Sequence, residues 1–329
     1  MKQPAGVNSY TNMTVSTARP PAPRHIPSTG DDSPARSVWG YVWRMTGLHQ
    51  VAAGALAVLG SALVFAPVEL QRRIVDDAIA PGNAGLLLEL GLAYGAVLLL
   101  AQAAKTALFV YQGWLAESAA RYTRTHLLRL HCRDCARHRP GEAVSVIGGE
   151  VDKLAGFAGE GPSTAIQHTA LLAVGIGYML YVDPMVASIG LALLLPQALW
   201  APLMQRRLNR LMRLRVRLMR TLGNRVAGQS LCRADADGSI LRRVYSNRMG
   251  IHAWKGFTKA GLNLLNGLAP LSVLMLGGWL AVQGETTVGV LVAFLSGFQR
   301  MSEPLRALVQ FYRRCAQAGV QHAEIARWM

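Results

Sequence analysis

The amino-acid sequence predicts an all-α membrane protein: six transmembrane helices, with long helical extensions reaching into the cytoplasm. Three observations carry this. First, residues of the AVILMFWYC set make up 51% of the 329 residues, charged residues only 16%, and the mean hydropathy is +0.24. A typical soluble domain is about 25% charged, so too few charges remain to coat a soluble particle of this size. Second, apolar segments of about 20 residues, long enough to cross a bilayer as helices, recur six times, near 50–69, 86–113, 163–182, 185–204, 259–282 and 287–310. Third, the surplus of 34 Lys+Arg over 18 Asp+Glu, a net +16, is gathered between particular segments. The apolar content excludes a disordered chain, and four cysteines exclude a disulfide scaffold.

Residues 1–37 are rich in Pro, Ser, Thr, Ala and Gly, hold no apolar run, and are expected to form a disordered tail. Lys2 is not followed by an apolar stretch, so no signal peptide is read here and the N-terminus is expected to stay in the cytoplasm. The membrane domain is expected over 38–329. Val38 to Met45, with Trp39, Tyr41, Trp43 and Arg44, has the composition of an amphipathic helix lying at the membrane–water interface, or of ordinary flanking sequence.

The connections alternate in length. The spans pair as hairpins across 70–85, Asp183-Pro184 and Gln283-Gly284-Glu285, and the long segments 114–162 and 205–258 join the hairpins. Residues 204–256 hold thirteen Lys/Arg and two Asp, whereas the short connections lean acidic. Basic residues mark the cytoplasmic side. Both long segments and both termini are therefore placed in the cytoplasm, and the positive charge is a topology signal rather than a nucleic-acid footprint; no nucleic acid partner is expected. Arg206, Arg210, Arg213, Arg217 and Arg220 repeat at steps of four and three, with leucines on a neighbouring face, and no proline falls between Leu203 and Ala269. The long segments are thus read as helices continuing the spans, their arginines on a solvated or headgroup-facing surface.

Long cytoplasmic extensions between six spans lead to a family. Over 38–329 the chain resembles the transmembrane domain of ABC exporters. The resemblance rests on Ile74-Val75-Asp76-Asp77-Ala78-Ile79 after the first span, and on Pro140-Gly141-Glu142-Ala143-Val144-Ser145 followed by Glu150-Val151-Asp152-Lys153. It rests also on Thr287 to Phe294 at the start of the sixth span, on Pro304-Leu305, and on Ala323-Glu324-Ile325-Ala326-Arg327. Val146 stands where the family commonly has Arg. The resemblance implies the translocation path of an exporter in the bacterial inner membrane, a second transmembrane half (the same chain or another), and a nucleotide-binding ATPase domain or subunit that brings ATP and Mg. That partner would dock on coupling helices near 127–144 and 228–240, with Arg133, Arg137, Arg139, Arg233, Asp235 and Asp237 as candidate contacts. The chain itself has no G-x-x-x-x-G-K-[ST] phosphate loop. It is therefore expected not to hydrolyse ATP and to hold no cofactor. It is read either as a truncated half-transporter or as a separate subunit. Leu295-Ser296-Gly297-Phe298-Gln299 is similar to the ABC signature, but inside a span it is read as chance. The second reading is a polytopic scaffold that does not transport.

Several residues are weighed individually. Lys105 lies within a span and either snorkels to the inner interface or lines a cavity. Gln112, Asn263, Asn266, Gln299 and Arg300 join it as candidate path residues, although amides in spans also bond neighbouring helices; Gln102, Gln167, His168 and Gln197 share that ambiguity. Arg300 has Glu303 three residues on as a local partner. Gly91 and Gly95 have the spacing of a close helix contact, or of coincidence. His131-Cys132-Arg133-Asp134-Cys135-Ala136-Arg137-His138 has a C-x-x-C, but with no second pair it is read as a reduced cytoplasmic helix, not a metal or redox centre.

Overall fold

The computed structural model describes residues 21–27, 33–133, 140–227 and 238–329. Helix α1, Val38–Thr46, opens where Ser37 Oγ accepts the Gly40 amide at 3.1 Å. It buries Tyr41, Val42 and Met45, while Trp39 and Trp43 remain 55% and 57% exposed. This two-sidedness matches an interfacial helix with an indole belt. The Tyr41 hydroxyl lies 2.8 Å from Thr123 Oγ1, and burial pushes its ionisation up to about 12. Gly47, at φ +50°, then turns the chain into the bundle in a conformation that side chains with a Cβ resist.

Helix α2, Leu48–Arg73, carries Pro67 inside it and passes into a π-helical turn, Ile74–Ile79. Arg72 and Arg73 both pair with Glu69, at 2.7 and 2.8 Å, and the Tyr178 hydroxyl donates to the same carboxylate at 2.9 Å. A single carboxylate thus partly offsets the basic pair in this acidic-leaning connection. Helix α3, Ala84–Arg133, runs for 50 residues, about 75 Å at 1.5 Å per residue. A short helix α4, Pro140–Ser145, continues through a π turn, Val146–Glu150, into α5, Val151–Val182. Asp183 Oδ1 accepts the amides of Met185 and Val186, and Pro184 begins α6, Pro184–Ala227. A capping carboxylate with proline at the first helical position fixes this turn where the sequence places it. Helix α7, Ser239–Ser272, passes through a third π turn, Val273–Gly277, into α8, Gly278–Val282. Gly284, at φ +81°, makes the last turn before α9, Val288–Trp328. No strand occurs among the described residues.

Among the described residues, four helical stretches are long and apolar enough to cross a membrane: Leu48–Ile79, Ala84–Arg133, Ala143–Val182 and Ser239–Val282. The fourth and sixth expected spans fall on α6 and α9, which are not among these four. In α9 the apolar run is broken by Gln299, Arg300 and Glu303.

Helices α2, α3, α5 and α9 form one bundle with α5 at its centre. One apolar cluster packs Tyr41, Leu127, Val151, Leu154, Ile325 and Trp328 at one end; another packs Phe65, Met179, Val186, Val273, Phe294 and Phe298 at the other. Helices α5 and α3 meet most directly at Gly159. A Cβ there would meet the Ala116 amide nitrogen at 2.5 Å and the Gln112 carbonyl at 2.6 Å, so α5 and α3 touch backbone to backbone. Gly91 and Gly95 make no such contact: nothing lies within 4 Å of a Cβ at either. Helices α6 and α7 pair mainly with each other. Trp200 and Trp254 pack on Phe257, the Arg207 guanidinium sits 5.5 Å over the Trp254 ring, and Asn247 Nδ2 donates to the Leu211 carbonyl at 3.3 Å. The start of α6, through Val186 and Ala187, and the segment that follows α7, through Val273 and Leu280, join the apolar cluster of the main bundle, leaving Leu199, Leu203, Leu264 and Leu271 exposed.

Asp76, in the first π turn, clasps the start of α9. Its carboxylate accepts from Thr287 Oγ1 at 2.7 Å and from the Gly289 amide at 2.9 Å. Asp76→Ala removes both bonds and leaves a helix-terminal amide unpaired. It is expected to cost about 1–3 kcal/mol, visible as a lower Tm in detergent. Thr287→Ala loses the bond to Asp76 and also the cap bond that Thr287 Oγ1 accepts from the Val290 amide at 3.3 Å, so a comparable cost is expected. An Asp76→Ala protein that melts with the wild type would show that the clasp contributes nothing.

Candidate functional site

A cavity of about 820 Å³ opens among α2, α3, α5 and α9. Its wall is apolar on the α2 side, where Gly60, Val64 and Pro67 contribute. Polar and charged groups come from the other three helices: Gln102 and Lys105 from α3, Gln167 and His168 from α5, and Arg300 and Glu303 from α9. On α3 and α9 the pair follows from simple spacing; on α5 the adjacent Gln167 and His168 reach the cavity through packing. Residues three apart, such as 102 and 105 or 300 and 303, lie on one helical face and so reach one cavity.

Arg300 does not pair with Glu303, as its spacing alone would have it. Its guanidinium turns to α2 and donates to the Val64 carbonyl at 3.2 Å. Pro67 lies in the same turn: it has no amide proton to give to the Leu63 carbonyl four residues earlier, next to Val64, and its ring distorts that turn. Arg300 supplies a charged donor at the weakened turn and still borders the cavity. The site thus carries two cationic side chains, Lys105 and Arg300, one carboxylate, Glu303, and an imidazole and two amides within a largely apolar wall. Such a wall can hold an amphipathic solute, with the cations setting a preference for negative charge.

Of the residues singled out from sequence, Lys105 and Arg300 line this cavity. Gln112 does not. It is 7% exposed and donates to Ser163 Oγ at 2.8 Å, an interhelical bond beside the Gly159 seam. Gln299 does not line it either, because one residue before Arg300 it points about 100° away around the helix. Asn263 and Asn266 sit on α7, whose partner is α6, and line no part of it. Sequence reasoning left Gln102, Gln167 and His168 undecided and Glu303 as a local partner of Arg300. The three-residue spacing from Lys105 marks Gln102, but only packing brings α5 to the same space. Arg133 ends α3; Arg137, Arg139, Arg233, Asp235 and Asp237 lie outside the described residues, as do Cys135 and Cys232. His131, from the Cys-containing run, packs on the Trp328 ring at 6.0 Å. Among the described residues no group of three His, Cys, Asp or Glu is placed to hold a metal ion.

The family model described as the ABC transporter transmembrane region matches residues 51–226. These residues supply α2, α3, α5 and nearly all of α6, and with them three of the four walls of the cavity. Among curated proteins, the chain is 26% identical over 196 residues to the putative multidrug export ATP-binding/permease protein YgaD of Bacillus subtilis (strain 168). The similarity covers 56% of this chain and 34% of that relative, so the chain spans about a third of that relative's length.

Proposed function

Since the chain belongs to the ABC transporter transmembrane region family, we propose that it is the membrane component of an ABC exporter and that the cavity at Lys105 and Arg300 is part of the path its substrate takes. The observation that carries this reading is the cavity itself: polar and charged side chains from three helices converge within a bundle that is otherwise apolar. The solute class that fits is anionic or amphipathic. Six spans, with α6 and α9 as the fourth and sixth, and cytoplasmic termini in a bacterial inner membrane complete the reading. A nucleotide-binding ATPase, as a further domain or a separate subunit, would bring ATP and Mg and press on the segments after α3 and α6, with Arg133, Arg137, Arg139, Arg233, Asp235 and Asp237 as contacts. The chain itself would hydrolyse no ATP. A second transmembrane half, identical or not, would cover the exposed leucines of α6 and α7.

The first test is purification of the native protein from its own host through an N-terminal tag. A band near twice 35.5 kDa, or a co-purifying ATPase, supports the exporter. A band near 35.5 kDa with no ATPase, and no ATP hydrolysis stimulated by solutes, favours a scaffold and sinks the proposal. The second test is Lys105→Met. Removing one cavity cation is expected to weaken stimulation by anionic amphipaths about tenfold, or about 1.4 kcal/mol, with little change for neutral ones. Unchanged stimulation by both would remove Lys105 from the path.

A further inference from the structure

Residues 21–27, within the stretch whose composition predicts a disordered tail, run extended along the far end of α3. The Ala22 carbonyl accepts from Trp114 Nε1 at 2.7 Å, and the Arg24 amide donates to Ser118 Oγ at 2.9 Å. The Arg24 guanidinium donates to the Met45 carbonyl at the end of α1, and Ile26 is 4% exposed in the same apolar cluster as Leu127 and Trp328. Between this strap and α3 lies a second pocket of about 450 Å³.

The lining of that pocket is unusual in its charge. Arg24 and His25 come from the strap; Arg121, His126 and Arg129 come from α3; no carboxylate is among the lining residues. Arg121, Thr125 and Arg129 recur every four residues and so share one face of α3. The strap is fastened by these hydrogen bonds and one buried isoleucine, and among the described residues no ion pair holds it. Docking therefore brings two more basic side chains against a face that is already basic, and burial pushes the Arg24 guanidinium below its usual range. Like charges gathered in a concavity repel unless an anion lies between them. A topology signal in the loops needs positive charge but neither a concavity nor a strap. Arg121 lies about 12 Å along α3 past Gly113, where the second expected span ends. This depth is within reach of inner-leaflet headgroups and open to solutes of the cytoplasm.

We propose that this pocket binds a phosphate-bearing anion, a phosphomonoester or phosphodiester held by the guanidinium groups of Arg121 and Arg129 from α3 and Arg24 from the strap. Guanidinium forks suit phosphate oxygens geometrically and stay charged at all working pH. The site is separate from the transport cavity and does not depend on the transport reading. The anion has two sources, an inner-leaflet phospholipid headgroup or a soluble phosphoester, which share the recognition chemistry.

The experiment is native mass spectrometry of the full chain in neutral detergent, titrated with pyrophosphate, with phosphatidylglycerol and with phosphatidylcholine as the zwitterionic reference. The wild type is expected to retain phosphatidylglycerol over phosphatidylcholine, pyrophosphate, or both. Arg121→Gln/Arg129→Gln is expected to lose that retention about tenfold or more, as is deletion of residues 1–27, while phosphatidylcholine binding is unchanged. Preference for the lipid identifies a headgroup; binding of pyrophosphate without lipid preference identifies a soluble phosphoester. The single variants Arg121→Gln and Arg129→Gln, each expected to show a partial loss, and Tm measured without ligand separate lost binding from lost fold. If the wild type prefers neither anion, or if variants of unchanged Tm bind both as well as the wild type does, the proposal is wrong.

Discussion

Gly159→Val is expected to abolish the assembled bundle. The atoms that a side chain at 159 would strike are the Ala116 amide nitrogen and the Gln112 carbonyl of α3. These are backbone atoms inside a long helix and cannot swing aside as the end of a flexible side chain can. Valine adds two further methyl groups to the clash, so α5 and α3 must separate along the seam. Separation would break the Gln112–Ser163 bond and loosen Leu115, Leu154 and Ala158, all almost fully buried. Overpacking of a close contact costs about 1–3 kcal/mol where side chains can relax; with rigid backbone on the far side and a buried amide left unpaired, the loss here should exceed about 3 kcal/mol. The readout is the monodisperse fraction and the Tm in detergent. Gly156→Ala, three residues away and with nothing within 4 Å of the added Cβ, is the internal comparison. Alanine is the better helix former by about 1 kcal/mol, so this variant should be neutral or slightly stabilised. A Gly159→Val protein that melts with the wild type would mean that α5 and α3 do not meet at this point.

Arg300→Met is expected to have the second-largest effect, on function more than on assembly. The side chain borders the cavity and also supplies the donor for the Val64 carbonyl next to the Pro67 distortion. Methionine keeps much of the length but removes both the charge and the donor. A hydrogen bond from a charged group contributes about 1.5–3 kcal/mol, so α2 loses its tie to α9 at the turn where it is weakest. On the proposed exporter function, transport and solute-stimulated ATP hydrolysis by the assembled transporter should fall about tenfold or more with a modest fall in Tm. Arg300→Lys, which keeps a positive charge but not the fork, should recover part of the loss. Equal activity of wild type, Lys and Met variants would remove Arg300 from the mechanism.

Much of this architecture is legible in the residues alone, and the reasons differ by element. The turns at Asp183-Pro184 and Gln283-Gly284-Glu285 can be read because capping and positive φ are local demands met by particular residue types. The long helices beyond the spans can be read because arginine recurs at helical spacing. The cavity is only half legible. Lys105 and Arg300 stand out as charges in apolar runs, but His168 and Gln167 join them only through the packing of α5, which no spacing within α3 or α9 reveals. Gln112 misleads for the same reason: the glycine that draws its helix against α5 lies 47 positions further along. The strap at 21–27 is hidden because composition reports the absence of a core-forming pattern, while three hydrogen bonds and a single buried Ile26 hold these seven residues against the bundle. The π turns carry no sequence mark that we can identify.

Every other helix of more than twenty residues carries proline inside it: Pro67 in α2, Pro162 in α5, Pro196 and Pro202 in α6, Pro270 in α7 and Pro304 in α9. Helix α3 has none across its 50 residues. In mechanical terms the others are jointed rods and α3 is a beam. A joint absorbs a push by bending, whereas a beam delivers it at the far end with little lost on the way. Lys105 and Arg129 are 24 residues apart on that beam, about 36 Å. A load applied below Arg129 would therefore arrive at the cavity wall as displacement rather than as curvature, and α3 is the member through which a distant force can move that wall as a whole.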